Sequence, residues 1–415
     1  MTERGKAMES KAGKGSTSLW ITVLVGLLCI VGVVMVGSAS SVVSMSYYGS
    51  PWSIFFKEVL WVAVGAVVFL VAVRIDYHRW GKLSPAVMAA TMGMLLLVLI
   101  PGVGTSSGGS TRWLGIGPLT LQPSELMKLV LVVYGAYFIA KRQESSTSMR
   151  YAIGPVVLVT GAASFLVLIQ PDLGTAFVLV VIMMTLAVCS GISRKALFRS
   201  LVGVGLAVGL AAIAMPYRRD RLLSFINPGS KSSEGGYQVV QSLIGMGSGG
   251  FGGLGLGHSH EKWGSLPNAH TDFIFSVIGE EIGVIGAFAV MLLFGALALK
   301  GFKAAEEAPD RFGMLLAAGL VAWIATEAVI NIGAVLGLLP VTGIPLPFVS
   351  YGGTSMVITL AAAGILVNIA RQERTVTPTK GLAHSPSRKG SSGAKERRPA
   401  ATGTARRSTR HVRSR

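Results

Sequence analysis

Apolar residues run through this chain in long blocks separated by short polar joints. Blocks lie near residues 18–38, 54–73, 84–101, 123–140, 152–169, 174–190, 196–214, 272–299, 312–337 and 352–370. Each approaches the roughly 20 residues that a helix needs to cross a bilayer. The pattern predicts an all-α integral membrane protein with about ten transmembrane helices. The block at 272–299 exceeds a minimal span, so its helix tilts or begins outside the hydrocarbon. The widest joint, residues 215–271, forms a large loop between the seventh and eighth helices.

The joints differ in charge. Arg74, Arg79 and Lys82 follow the second helix; Lys141, Arg142 and Arg150 follow the fourth. Arg194, Lys195 and Arg199 follow the sixth, and Lys300, Lys303 and Arg311 the eighth. The N-terminal Arg4, Lys6, Lys11 and Lys14 and the basic C-terminal tail fall on the same side. The opposite short joints are nearly free of Lys and Arg. Basic loops stay in the cytoplasm, so both termini are expected there, in a multi-pass membrane protein. Three segments follow: an N-terminal tail (1–17), a membrane domain (18–371) that includes the extracytoplasmic loop 215–271, and a C-terminal tail (372–415). The first helix follows basic residues and precedes the small residues GSASS, but it is longer than the apolar core of a cleaved signal peptide. It is read as a retained anchor.

Composition removes the soluble alternatives. The chain is 51% hydrophobic and 13% charged, with a mean hydropathy of +0.61. A net charge of +18 suggests nucleic acid until its placement is seen. From Arg371 to Arg415 there are thirteen Lys and Arg against two acids, Glu373 and Glu396. Such a segment, poor in large apolar residues, is expected to be disordered and to lie near anionic lipid, with no nucleic acid as partner. Cys29 and Cys189 sit inside apolar runs and read as packing residues, not as a disulfide or zinc framework.

The polar residues gather at one set of joints. The stretch LPNAHTDFIFSVIGEE (266–281) places His270 and Asp272 at the outer mouth of the eighth helix. Glu280 and Glu281 lie about two turns deeper. Helical spacing puts Glu280 on the flank of the Asp272 face and turns Glu281 nearly opposite. Asp272 also reads as a helix N-cap, His270 as a loop hydrogen-bonding group, and the two glutamates as an intramembrane hydrogen-bonded pair. Ionisable groups at such depth mark a pathway or site. TRWLGIGPLTLQPSELMK (111–128) enters the fourth helix, with Ser124 as a cap, Glu125 at the positive helix end and Lys128 three residues on to pair with it. In QPDLGTA (170–176) Asp172 is a natural cap. PVTGIPLPFVSYGGTS (340–355) is too rich in Pro and Gly for a continuous helix.

The large loop adds Arg218, Arg219, Arg221, Lys231 and Lys262, which suit a negatively charged ligand. Its GMGSGGFGGLGLG (245–257) contains G-x-G-x-x-G, but it follows no strand and lacks the G-K-[ST] of a P-loop. It reads as a turn where backbone passes close to something. Together the clusters predict a shared extracytoplasmic cavity.

In chain order, STRWLGIGPLTLQPSELMK, QPDLGTA, LPNAHTDFIFSVIGEE and LPFVSYGGTS resemble the hallmark motifs of the SEDS family: the FtsW, RodA and SpoVE proteins of bacterial shape, elongation, division and sporulation. The resemblance spans about residues 18–371. It implies an inverting peptidoglycan glycosyltransferase that joins lipid II units outside the cytoplasmic membrane. It implies as partners the nascent glycan, a class B penicillin-binding protein, other divisome membrane proteins and membrane lipid. Asp272 matches the family's catalytic aspartate. The resemblance further implies substrate contacts from Arg112, Gln122, Ser124, Glu125, Lys128, Lys262, His270, Glu280 and Ser350. Arg112, Lys128, Lys262 or a divalent cation (Mg or Mn), with Asp272 as its ligand, would offset the charge of a polyprenyl diphosphate leaving group. No organic cofactor is implied. Residue 268 is Asn where many relatives have Glu, so that position is expected to carry no essential charge. VMVGSASSV and IPGVGTSSGGSTRW resemble division-type members more than elongation-type ones and imply a place at the septum. A lipid II flippase, an elongation-type polymerase and a non-catalytic scaffold are the competing readings. A flippase would put its key charges near the midplane and on both sides; here they crowd one face.

Overall fold

The computed structural model describes residues 16–107, 110–116, 119–144, 149–192, 195, 198, 199, 202, 203 and 234–372. Residues Met1–Thr375 form one compact unit. The expected helix at 196–214, the basic residues Arg218, Arg219, Arg221 and Lys231, and both tails fall largely or wholly outside the described residues.

Eleven α-helices are described: α1 (Ser16–Tyr48), α2 (Ser53–Arg74), α3 (Tyr77–Val98), α4 (Pro123–Glu144), α5 (Met149–Ile169), α6 (Leu173–Cys189), α7 (Glu234–Gly249), α8 (Ile274–Glu281), α9 (Gly283–Glu306), α10 (Arg311–Val335) and α11 (Thr354–Arg371). Seven of them, α1–α4 and α9–α11, are long and apolar enough to cross a membrane, and α5 and α6 contain shorter apolar stretches. The fold is therefore all-α and multi-pass, and nine of the ten expected apolar helices are seen among the described residues. Helix α10 buries most of its length, while α2 leaves Phe56, Leu60, Val67 and Leu70 exposed. Exposed apolar faces on such helices suit lipid, because every backbone polar group is satisfied within the helix.

Three expectations are corrected. The single helix at 272–299 is two helices, because Gly283 takes φ +79 and ends the run after Glu281. The 215–271 joint contains a helix, α7. Between α3 and α4 lies a small antiparallel sheet in the order β1 (Gly104–Ser107), β2 (Ser110–Ile116) and β3 (Leu119–Leu121). Its register pairs Gly104 with Leu114 and Leu114 with Leu121. The segment is short and mixed in polarity, so neither helical nor strand periodicity stood out.

The connections gather at two ends of the bundle. At one end Tyr77 donates to Asp310 at 2.5 Å, Asn368 donates to the Val73 carbonyl, and Arg311 reaches the Cys189 and Ser190 carbonyls. Asp310 caps α10 through the Gly313 N–H at 3.0 Å. The four polar motifs meet at the other end.

Close approach at that end depends on glycine. A side chain at Gly249 would run into the Gly279 carbonyl oxygen, and one at Gly253 into that of Glu281. The segment after α7 runs along α8, with Leu254 N–H donating to the Glu280 carbonyl at 3.0 Å and Gly255 N–H to that of Glu281 at 2.9 Å. The glycine-rich stretch is thus a backbone-to-backbone seam, as its composition suggested.

Candidate active site

The site is built from turns that hold one another. Asn268 sits at φ +59, a conformation Asn tolerates better than most side chains. Its carbonyl accepts from the N–H groups of Thr271 and Phe273 at 3.1 and 3.3 Å, which curls the chain around Asp272. Helix α8 begins only at Ile274, with Phe273 at its cap position and no side-chain cap, so Asp272 precedes the helix and does not cap it as one reading held. Asp272 is half-buried. Asn331 of α10 fixes its backbone by donating to the Asp272 carbonyl at 2.8 Å and, with the same amide, to the Ile344 carbonyl at 2.8 Å.

His270 is half-buried next to the ring of Tyr351, 5.8 Å between centroids, and its Nδ1 has no hydrogen-bond partner among the described residues. Burial pushes its imidazole below the ordinary value, which favours the neutral ring. Its carbonyl accepts from the Tyr351 N–H at 3.1 Å, joining the second motif pair. Ser350 does not face outward: its hydroxyl accepts from the Leu346 N–H at 2.8 Å and shapes the turn.

The 111–128 motif divides between surface and depth. Pro123 is the first residue of α4, a position that suits its missing N–H. Ser124 therefore lies inside the first turn instead of capping it, and accepts from Gln122 Nε2 at 3.0 Å. Gln122 also lies 3.5 Å from Asp172 Oδ2. Asp172 caps α6 as expected, through Thr175 N–H at 3.0 Å. Lys128 is 1% exposed; its ammonium is 2.7 Å from Glu125 Oε1 and also bonds Glu327 of α10. Ser355 completes the cluster by donating to Glu125 Oε2 at 2.6 Å.

That geometry separates the three expected cations. Two carboxylates already compensate Lys128, so it holds helices together and has no charge to spare for a ligand. Arg112 bonds the carbonyls of Gln170 (2.9 Å) and Pro171, and Lys262 bonds that of Gly257. Carbonyl partners satisfy the donors but leave the positive charge in place. Neither side chain forms an ion pair among the described residues.

The deeper glutamates take partners from the loop after α7 and from α1. Glu280 is fully buried and accepts from the Ser259 hydroxyl and from the His260 N–H at 2.7 Å. Glu281, also buried, accepts from the Ser38 hydroxyl on both oxygens, at 2.6 and 2.7 Å. They fasten the loop after α7 to α8 and α1. Glu261 lies beside Glu280; burial, then the Glu280 charge, pushes its carboxyl up to about 7.

Glu327 and Asn331 went unread in the sequence, although a signal was present. They stand four residues apart in an otherwise apolar span, and an ionisable group there is a site candidate by default. Among the described residues no group of three or more His, Cys, Asp or Glu is arranged to hold a metal ion.

Comparison with known proteins gives a consistent picture. A family model, FTSW_RODA_SPOVE, described as cell cycle protein, matches residues 18–375. Stage V sporulation protein E of Bacillus subtilis is 39% identical over 365 residues, covering 87% of this chain and 99% of its own. A probable peptidoglycan glycosyltransferase FtsW of Mycobacterium tuberculosis is 40% identical over 362 residues, covering 87% and 69%. Among solved structures, a chain from work on structural coordination of polymerization and crosslinking by a peptidoglycan synthase complex superposes with a TM-score of 0.70 at 28% identity, covering 85% and 96%. The Thermus thermophilus rod shape determining protein RodA gives a TM-score of 0.64 at 27% identity, covering 85% and 96%.

Proposed function

Because this chain belongs to the FtsW, RodA and SpoVE family of cell cycle proteins, we propose that it is a division-type peptidoglycan glycosyltransferase that polymerises lipid II. Relatives named as probable peptidoglycan glycosyltransferases support the activity. The observation that carries the mechanism is Asp272: a half-buried carboxylate placed ahead of α8, its backbone gripped by Asn331.

Asp272 accepts the proton of the acceptor sugar's 4-hydroxyl as that oxygen attacks the anomeric carbon of the donor. The new O–C1 bond forms while the C1–O bond to the diphosphate breaks. The polyprenyl diphosphate leaves with its electron pair, and one displacement inverts the centre. General-base help of this kind is worth about 10²–10⁴-fold. Arg112 and Lys262, which pair with no acid among the described residues, suit the developing charge on the leaving group. An all-protein cage for Mg or Mn is not formed by the described residues. Asp272 and the substrate's phosphates are the ligands such an ion would take, and no step here is routed through it.

A class B penicillin-binding transpeptidase is the expected partner, since the synthase complex named above couples polymerization to crosslinking. The charge pattern of the joints supports cytoplasmic termini and an extracytoplasmic site. Septal placement and other divisome partners follow from the division-type reading.

The test supplies lipid II in detergent to the purified protein with its cognate transpeptidase and follows glycan chain length on a gel. A lipid II translocation assay in vesicles runs beside it. Long strands that need Asp272 support the proposal. Translocation without strands would replace it with lipid transport. Depletion that leaves septation intact and rounds the cells would reassign it to elongation.

A further inference from the structure

Helix α2 carries a carboxyl that the reaction above leaves unused. Glu58 is fully enclosed, and among the described residues neither of its carboxyl oxygens has a hydrogen-bond partner. The same helix exposes Phe56, Val59 and Leu60 around it. A buried carboxyl without partners costs stability, and each such group in a native structure calls for an explanation.

Its surroundings supply one. The Glu58 carboxyl lies close to the backbone N–H of Gly352 and to Tyr351. Three residues along α2, the Trp61 ring packs on Gly353, where a Cβ would meet it at 3.5 Å. Gly353 itself takes φ +49. Residues 350–355 therefore form a strap pressed by α2 on one side. On the other side the strap holds the site: Tyr351 N–H donates to the His270 carbonyl, two residues before Asp272, and Ser355 donates to Glu125.

We propose that Glu58 is a positioning residue for glycan polymerisation. Its carboxyl receives the Gly352 N–H when substrate occupies the site, and so sets the strap that aligns the His270–Asp272 turn with the first turn of α4. The inference rests on the polymerase reading above.

The experiment compares wild type, Glu58→Gln and Glu58→Leu, each purified with the cognate transpeptidase, by melting temperature and by kcat and KM for lipid II. Leu removes the unpartnered carboxyl, so the melting temperature holds or rises. With it kcat falls about tenfold, in the range carried by such a network, and KM stays within about twofold. Gln keeps an acceptor oxygen and restores kcat to within about threefold of wild type. A Leu variant as fast as wild type overturns the proposal. So does one that loses melting temperature together with activity, which marks a purely structural carboxyl, and so does a Gln variant as slow as Leu. A wild type that makes no strands sinks the polymerase reading and this inference with it; an active wild type beside an indifferent Leu variant removes Glu58 alone.

Discussion

Ser355 donates to Glu125 Oε2 at 2.6 Å, which ties the first turn of α11 to the first turn of α4 across 230 residues of sequence. The other Glu125 oxygen holds Lys128, and Lys128 holds Glu327. Three helices thus share one buried ionic cluster at the end of the bundle where the motifs meet.

Removing the cation from that cluster leaves two buried carboxylates facing each other. Lys128→Ala is expected to cost about 3–5 kcal/mol. The loss should appear as a lower melting temperature and poor yield, not as a selective rise in KM. Arg112→Ala should do the reverse: near-normal melting and a raised KM for lipid II. A stable Lys128→Ala enzyme with only a KM defect would overturn the structural role assigned to Lys128.

Asp272→Asn keeps the size of the side chain, and the Asn331 bond to residue 272 is to its backbone. The variant should fold and melt like wild type while strand synthesis falls by at least about 100-fold. Gel analysis of product length decides it. Strands of normal length at the wild-type rate would remove Asp272 from the chemistry.

Glu261 gives a pH signature. Its folded pKa, about 7, lies above the ordinary 4.5, raised first by burial and then by Glu280, with His260 opposing. The folded state therefore holds this proton more tightly than the unfolded one. Its contribution is full below about pH 4.5 and is lost as pH rises through about 7. Hydrogen exchange of residues 253–263 should quicken between pH 5 and 8, beyond the intrinsic rate change, and Glu261→Gln should flatten that trend. An unchanged trend in the variant would rule Glu261 out as its source.

The seam between the glycine-rich stretch and α8 leaves no space for a methyl group. Gly253→Ala, at φ +79 against the Glu281 carbonyl, should cost about 1–3 kcal/mol. Gly252→Ala, where a Cβ meets nothing within 4 Å, is the control and should melt near wild type. Equal melting temperatures for the two would contradict the close approach.

Much of this protein is legible along the chain because a bilayer makes hydropathy decisive. A span must satisfy its backbone internally and present apolar side chains outward, so the long helices, the Asp172 cap, the Glu125–Lys128 pair and the broken 340–355 segment could all be read from local spacing. The motif likewise placed Asp272 at the mouth of its helix, although the helix itself starts only at Ile274. Pairing across helices could not be read that way. Nothing in PSELMK announces that Lys128 is neutralised by Glu327, nor does GEE announce that Glu281 holds Ser38. A helix end at Gly283 and the turn at Asn268 depend on positive φ values that the surrounding packing selects. Sequence fixes which residues are too polar to face lipid; only the tertiary structure decides which partner each one finds. That choice rests on close, directional hydrogen bonds between segments far apart in the chain. It separates Arg112 and Lys262, whose charge is still available, from Lys128, whose charge is already spent.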